Sequence, residues 1–250
     1  MNFQGSGVIV TGGAGGLGRV IAARFASRGA RVALADINAA EAAAVATSLG
    51  DQAISFQADV SRGDEVDALF AHVLHEFGRL DVLVNNVAIT AGGDAVDIEE
   101  ALWDRVMAVN LKSYLLCAQR AARHWKEQSR PGRIINIGSI DAELPIPDRI
   151  PYCVSKAGVV ALTRNLALAF APSGIKVNTI NPGLVATGMM TKAMADPHRQ
   201  QELLGWQPAK RMAEASEIAE AVLYLASEAA DFITGATLTI DGGRLLQYTL

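Results

Sequence analysis

The strongest constraint on the fold is an alternation of short β-rich runs with helical stretches. Val8-Ile9-Val10 leads into the glycine-rich Thr11-Gly12-Gly13-Ala14-Gly15-Gly16-Leu17-Gly18, and residues 19–28 then follow with helical spacing. Residues 31–36 read as a second strand, 39–49 as a helix, 53–57 as a third strand, 64–77 as a helix, and 80–84 as a strand ending at Asn85-Asn86. Alternation of apolar strands with helices implies a parallel sheet covered on both faces. Such a sheet binds its ligands outside the carboxyl ends of its strands. Asp59, Asn86 and, further on, Ser139 fall at those ends beside the glycine turn, which predicts one shared crevice.

The turn and the next strand narrow the ligand. Gly12, Gly16 and Gly18 allow a tight bend and a close approach of backbone to phosphate, and the new helix aims its first amides at the anion. Asp36 closes the second strand about twenty residues beyond the turn, where a carboxylate accepts hydrogen bonds from both ribose hydroxyls and repels a 2′-phosphate. The pair predicts NAD rather than NADP. Asp36 also qualifies as the N-cap of helix 39–49, but Asn38 is at least as good a cap and leaves Asp36 for the ligand.

A second constellation lies between Ser139 and Lys156. Tyr152 and Lys156 stand four apart in a helical pattern, so their side chains share one face. A free phenol has a pKa of about 10, and a neighbouring ammonium favours the phenolate that general acid–base work needs. Ser139 follows the strand-like 133–137 run and is placed to hold a substrate oxygen near Tyr152. Asn110 sits inside the helical pattern that starts at Ile98; either it faces solvent, or it serves a buried polar role such as a water site linked to Lys156. Residues 175–180 form a further strand stopped by Asn181-Pro182-Gly183, 216–226 a last helix, and 237–240 a last strand before Asp241-Gly242-Gly243. Between them, 184–208 carries Met189, Met190, Met194 and Trp206, and reads as a flap over the crevice or as an ordinary surface excursion. The apolar tail with Leu245, Leu246, Tyr248 and Leu250 suggests a subunit contact.

Composition excludes other classes. A chain of 250 residues suits one large α/β domain. Its net charge of −4 comes without a basic cluster able to follow a phosphate backbone, so no nucleic-acid partner is expected. No uninterrupted apolar run reaches the ~18–20 residues of a membrane span, and the first residues lack the regions of a signal peptide. The expectation is a cytoplasmic protein without membrane contact. Cys117 and Cys153 are too few for a disulfide framework, and His72, His75, His124 and His198 are scattered, so no metal site is predicted.

These separated signals together resemble the short-chain dehydrogenase/reductase family across nearly the whole chain: the turn 11–18, Asp59-Val60, Asn85-Asn86, Asn110, Ser139, Tyr152-x-x-x-Lys156, Asn181-Pro182-Gly183 and Asp241-Gly242-Gly243. The resemblance implies a Rossmann-type doubly wound parallel sheet of about seven strands in a single domain. It also implies NAD-dependent hydride transfer at a carbinol carbon and a homotetramer. Tyr152 would be the acid–base residue, Ser139 would hold the substrate oxygen, and Lys156 would lower the tyrosine pKa and bind the nicotinamide ribose. Asn110 would position a water in a proton relay. Gly12, Gly16, Leu17 and Gly18 would frame the pyrophosphate, Asp36 and Ile37 the adenosine ribose, and Asp59 and Val60 the adenine. Asn86 and Ala88 would meet the intervening region, and Pro182, Gly183, Val185 and Thr187 the nicotinamide. One departure is Val87-Ala88, where the family usually has Ala-Gly.

The substrate is less constrained. Asp141, Glu143, Asp148 and Arg149 border the expected pocket mouth and suit a sugar or polyol, unless they simply face water. A 3-oxoacyl or simple ketone reductase is the alternative. A non-catalytic NAD(H)-sensing or scaffold protein is a third reading, opposed by the joint presence of Ser139, Tyr152 and Lys156.

Overall fold

The structure is a computed structural model that describes residues 1–188, 190 and 195–247. In chain order the strands are β1 (Gly7–Thr11), β2 (Arg31–Asp36), β3 (Ala53–Gln57), β4 (Val82–Asn85), β5 (Arg133–Ile137), β6 (Lys176–Pro182), β7 (Val185–Ala186), β8 (Ala213–Glu214) and β9 (Thr237–Ile240). The helices are α1 (Gly16–Ala26), α2 (Ala39–Leu49), α3 (Gly63–Phe77), α4 (Glu100–Met107), α5 (Ser113–Glu127), α6 (Ile150–Phe170), α7 (Pro197–Gly205) and α8 (Ala215–Leu225). Seven strands form one parallel sheet in the order β3-β2-β1-β4-β5-β6-β9, while β7 and β8 pair separately.

Strand pleating sorts the core into two layers. Val8, Val10, Val32, Leu34, Val82 and Val84 face α1 and α8. Ile9, Ala33, Leu83, Ile134 and Val177 face α3, α5 and α6 on the other side. Local chemistry sets several helix limits. Asn38 caps α2 by accepting from the Glu41 amide at 3.2 Å, Gly78 ends α3 in the left-handed conformation, and Glu214 with Glu217 forms a capping box on α8.

Two features differ from the sequence expectation. The strand expected to stop before Asn181 runs on to Pro182, which lies opposite Ile240 of β9. The long helix expected around Asn110 is interrupted by a π-turn at Ala108–Lys112 between α4 and α5. Such turns add a residue to the helical ladder and re-aim what they carry.

The carboxyl ends of the central strands are locked by buried polar side chains. Asn85, Asn136 and Thr179 are aligned across β4, β5 and β6. Asn85 Nδ2 donates to Asn136 Oδ1 at 2.9 Å, Asn136 Nδ2 to the Thr163 hydroxyl of α6 at 2.8 Å, and Thr163 and Thr179 share a hydrogen bond. A slip by one residue would turn these groups to the opposite, apolar layer, so the row fixes register where the site is built.

Trp125 of α5 anchors the other end of the sheet. It is fully buried, its Nε1 donates to the Leu80 carbonyl at 2.8 Å, and its ring lies where a Cβ on Gly132 would stand. Trp125→Ala is expected to cost ~3–5 kcal/mol, a fall in Tm of roughly 6–20 °C. A calorimetric shift below about 2 °C would show that the neighbours close the hole.

Candidate active site

The strand order reverses between β1 and β4, and the glycine turn leaves β1 at this switch point. Thr11 and Asn86 tie the turn to the end of β4. The Thr11 hydroxyl accepts from the amides of Asn86 and Val87 at 3.0 and 3.3 Å. Asn86 Nδ2 donates back to the carbonyls of Thr11 and Gly12 at 3.0 and 3.1 Å. The Asn86 amide group thus shapes the turn, a task the sequence did not reveal. Gly12 and Gly16 have φ of +62° and +48°, and a Cβ on Gly18 would lie 2.0 Å from the Gly12 carbonyl oxygen.

The turn leaves an anion cradle. Gly15 caps α1 without a side chain and no acid occupies the first turn, so the orphan amides and the positive end of the helix dipole are uncovered. Leu17 packs against the core beneath. A Cβ on Gly16 would meet Thr187 at 3.9 Å, which brings Thr187 to the rim of the cradle. The Asp36 carboxylate stands on the same turn, accepting from the amides of Ala14 and Asn38, both at 3.0 Å; Asn38, not Asp36, caps α2. Ile37 beside it is 59% exposed. These residues fit a dinucleotide: a glycine-lined anion seat with a carboxylate fixed beside it at the end of the neighbouring strand.

The other cofactor candidates divide. The Asp59 carboxylate is engaged with Ser61, through its amide and hydroxyl, and with Arg105 of α4 at 3.1 Å. Against the opposing effect of burial, these bonds lower its pKa. Val60 is buried in the α3 layer. Gly183 donates its amide to Ile240, and a Cβ there would stand 2.8 Å from the Asp241 Cα, so glycine is needed for the backbone to pass β9. Val185 packs partly into the core. Of the flap residues, Met189 and Met194 lie outside the described residues; Met190 donates its amide to the Thr187 carbonyl, and Trp206 is stacked by the Arg244 guanidinium at 5.2 Å.

Ser139, Tyr152, Lys156 and Asn110 are brought together at the ends of β4 and β5. Ser139 follows β5 by two residues, accepts from the Asp141 amide at 3.1 Å, and stands close enough to Tyr152 for its hydroxyl to favour the phenolate. One turn along α6, Lys156 is fully buried, donates to the Ile137 carbonyl at 2.8 Å, and lies 5.8 Å from the Tyr152 ring centroid and 5.5 Å from that of Tyr114. The expectation that the ammonium brings the phenol down is not what this arrangement gives. Burial outweighs every other influence and pushes Tyr152 up to about 12, with the Ser139 hydrogen bond opposing it. Burial likewise pushes Lys156 down to about 7, opposed by Asp141.

Asn110 takes the buried option. Its Oδ1 accepts from the Ile89 amide at 2.8 Å, and its Nδ2 donates to the Ile89 carbonyl at 2.9 Å and to Ser155 Oγ at 3.1 Å. Ser155 in turn donates to the Tyr152 carbonyl. Asn110 therefore clamps the 89 loop to the helix that carries the tyrosine. Tyr114 was missed by the sequence reading: fully buried, it shares its hydroxyl proton between the carbonyls of Val87 and Ile137 and floors the lysine. Its only signal was its place four residues after Asn110. A separate cavity of about 650 Å³ at the amino ends of β4 and β5 is lined by Arg79, Asp81, Arg133 and Asp231, whose charges pair with one another.

An α/β sheet with a dinucleotide cradle and a tyrosine–lysine–serine group at its switch point defines a nicotinamide-dependent oxidoreductase. The comparisons say which kind. Residues 12–244 match the family model described as enoyl-(acyl carrier protein) reductase. The chain is 38% identical over 248 residues to D-threitol dehydrogenase of Mycolicibacterium smegmatis, covering 98% of this chain and 95% of the relative. It is 37% identical over 244 residues to a 3-oxoacyl-[acyl-carrier-protein] reductase of Haemophilus influenzae, covering 98% and 100%. A crystal structure of a protein assigned as a gluconate dehydrogenase from Agrobacterium tumefaciens superposes with a TM-score of 0.93 at 32% identity, over 99% of this chain and 98% of that one. The chain belongs to the short-chain dehydrogenase/reductase family. It is an oxidoreductase of CH–OH groups and the corresponding ketones.

Proposed function

We propose that the chain is an NAD-dependent dehydrogenase of a secondary alcohol of the sugar or polyol class. The observation that carries the reading is the convergence of Ser139, Tyr152 and Lys156 on the crevice that also holds the glycine turn and Asp36.

The dinucleotide would lie along the carboxyl edge of the sheet. The turn at Gly12, Gly16, Leu17 and Gly18 would seat its pyrophosphate, Asp36 and Ile37 its adenosine ribose, and Asp59 and Val60 its adenine. Asn86 and Ala88 would line the path to Lys156 at the second ribose. Pro182, Gly183, Val185 and Thr187 would border the nicotinamide, which supplies the hydride acceptor or donor when bound. Ser139 then holds the carbinol oxygen and Tyr152 moves its proton, removing it in oxidation and returning it in reduction. Lys156 keeps a cationic charge behind the phenol while its own proton is retained, and Asn110 with Ser155 fixes the start of α6. The water-ordering role that the family resemblance implies for Asn110 would fall to what its carboxamide leaves uncommitted, since both Nδ2 hydrogens already bond Ile89 and Ser155.

The family likeness supports a homotetramer, and uncovered apolar side chains agree with self-association. Val154 and Leu168 lie exposed on α6, Phe232 on the turn before β9, and Leu246 in the tail.

The test offers the protein NAD or NADP with sugars, polyols, simple secondary alcohols and, in reverse, 3-oxoacyl thioesters, following reduced-nicotinamide absorbance. Turnover of a polyol with NAD is the expected result. Preference for an acyl thioester would move the chain to the reductase alternative, and NADH binding without any turnover would leave a sensing protein.

A further inference from the structure

Of the acids between Ser139 and Tyr152, Asp141 is placed differently from the rest. Glu143 is exposed and accepts from Asn181 Nδ2 at 3.3 Å, and Asp148 is exposed on the outer 3₁₀ turn. Asp141 is part-buried in the turn Ile140–Ala142, whose start is pinned by its own amide on Ser139 Oγ. Its carboxylate has no hydrogen-bond donor or ion-pair partner among the described residues, although the Asp36, Asp59 and Asp241 carboxylates of the same sheet end each accept backbone amides. It also acts electrostatically on both members of the catalytic pair, holding the Lys156 ammonium up and raising the Tyr152 phenol. Burial pushes the Asp141 carboxyl up, the charges of Arg149 and Lys156 oppose it, and no donor among the described residues bonds its oxygens directly, which leaves them acceptors for a ligand.

We propose that Asp141 is a substrate-selecting carboxylate, accepting a hydrogen bond from a hydroxyl on the carbon next to the reacting carbinol, so that the enzyme prefers vicinal diols to the matching monohydric alcohols. The inference depends on Ser139 and Tyr152 binding the reacting oxygen, as the proposed function has it. The Asp141 backbone is bonded to Ser139 Oγ, so its carboxylate starts from a residue anchored at that oxygen, and the nearest substrate donor is the neighbouring hydroxyl. A site built to pair a hydroxyl discriminates strongly against the analogue without it, because its own polar group is left bare.

The experiment takes the best alcohol of the substrate panel and its analogue in which the neighbouring hydroxyl is replaced by hydrogen, and measures kcat/KM for the wild type, Asp141→Asn and Asp141→Ala. The wild type is expected to favour the diol at least ~10-fold. Asp141→Ala is expected to lose ~10- to 100-fold on the diol and no more than ~3-fold on the mono-alcohol, with Asp141→Asn, which keeps an acceptor, in between. A second readout separates selection from scaffolding. Tyr152 is faced by Ser139, Asp141, Arg149, Cys153, Lys156 and Tyr114, and removing the one carboxylate among them should move the alkaline rise of oxidation to lower pH. Equal loss on both alcohols with an unmoved pH profile, or a wild type indifferent to the second hydroxyl, overturns the proposal and leaves the dehydrogenase reading intact. No turnover of any alcohol on the panel overturns both.

Discussion

Tyr152→Phe is expected to lower kcat by about 10³-fold or more in both directions while leaving NADH binding and Tm essentially unchanged. The size follows from the role: positioned proton transfer contributes typically 10²–10⁴-fold, and Ser139 offers no replacement because its hydroxyl is no stronger an acid. The small structural cost follows from the contacts. Ser139 Oγ accepts from the Asp141 amide independently of the phenol, so the loop keeps its anchor when the hydroxyl is gone. The pH dependence has a definite sign. Oxidation uses the phenolate, and a phenol pushed up to about 12 is protonated at neutral pH, so the oxidation rate should rise with pH above 7, by less than tenfold per unit because Lys156, pushed down to about 7, loses its charge over the same range. Reduction uses the protonated phenol and should not climb. The wild type assayed in both directions, with the variant beside it, checks each statement. More than a tenth of wild-type activity in Tyr152→Phe would require another proton carrier.

That prediction draws on geometry that the sequence carried only in part. The elements were legible because each announces itself locally: β2, α2, β3 and β9 occupy the expected residues, since β2 is a continuous apolar run, the edge strands β3 and β9 alternate apolar with polar side chains, and Asn38 is a good cap. Two-residue strands such as β7 and β8 carry no periodicity and gave no signal. The site was legible as residue types at spacings, but the commitments of those residues were not. Asn86 is spent on the carbonyls of Thr11 and Gly12, Asp59 on Ser61 and Arg105, and Asn110 on Ile89. Apart from Ser61, which is local to Asp59, each partner is distant in the chain, and only the folded sheet and its helices bring them together. The tyrosine–lysine spacing gave the proximity but not the direction of the phenol's shift, for a physical reason. Spacing of four residues predicts proximity, but it contains no term for burial, and here burial sets the direction of both shifts.

The cofactor choice gives the second large effect. The wild type is expected to use NAD at least ~100-fold better than NADP by kcat/KM. The Asp36 carboxylate is held by the amides of Ala14 and Asn38, so it cannot swing away from a 2′-phosphate without abandoning two hydrogen bonds. A phosphate monoester carries about −1.5 to −2 charges at pH 7, and one pair of unit charges 4 Å apart near a surface repels by ~4 kcal/mol at most, which allows ~100-fold discrimination after screening. Asp36→Asn removes the charge and should raise kcat/KM with NADP by ~10- to 100-fold. It also removes an acceptor from the glycine turn, so its effect mixes electrostatics with shape. Ile37→Arg separates them. Ile37 is 59% exposed at the rim, its replacement disturbs no packing, and both Asp36 bonds survive. A guanidinium there offers the 2′-phosphate a bidentate partner. This variant should gain ~10-fold with NADP at unchanged Tm, a larger change than any it makes with NAD, whose ribose Ile37 would also border. If Asp36→Asn gains and Ile37→Arg does not, Asp36 discriminates by itself and the rim is too far from the phosphate. If the wild type prefers NADP, the carboxylate is not at the ribose, and its two amide bonds are its whole purpose.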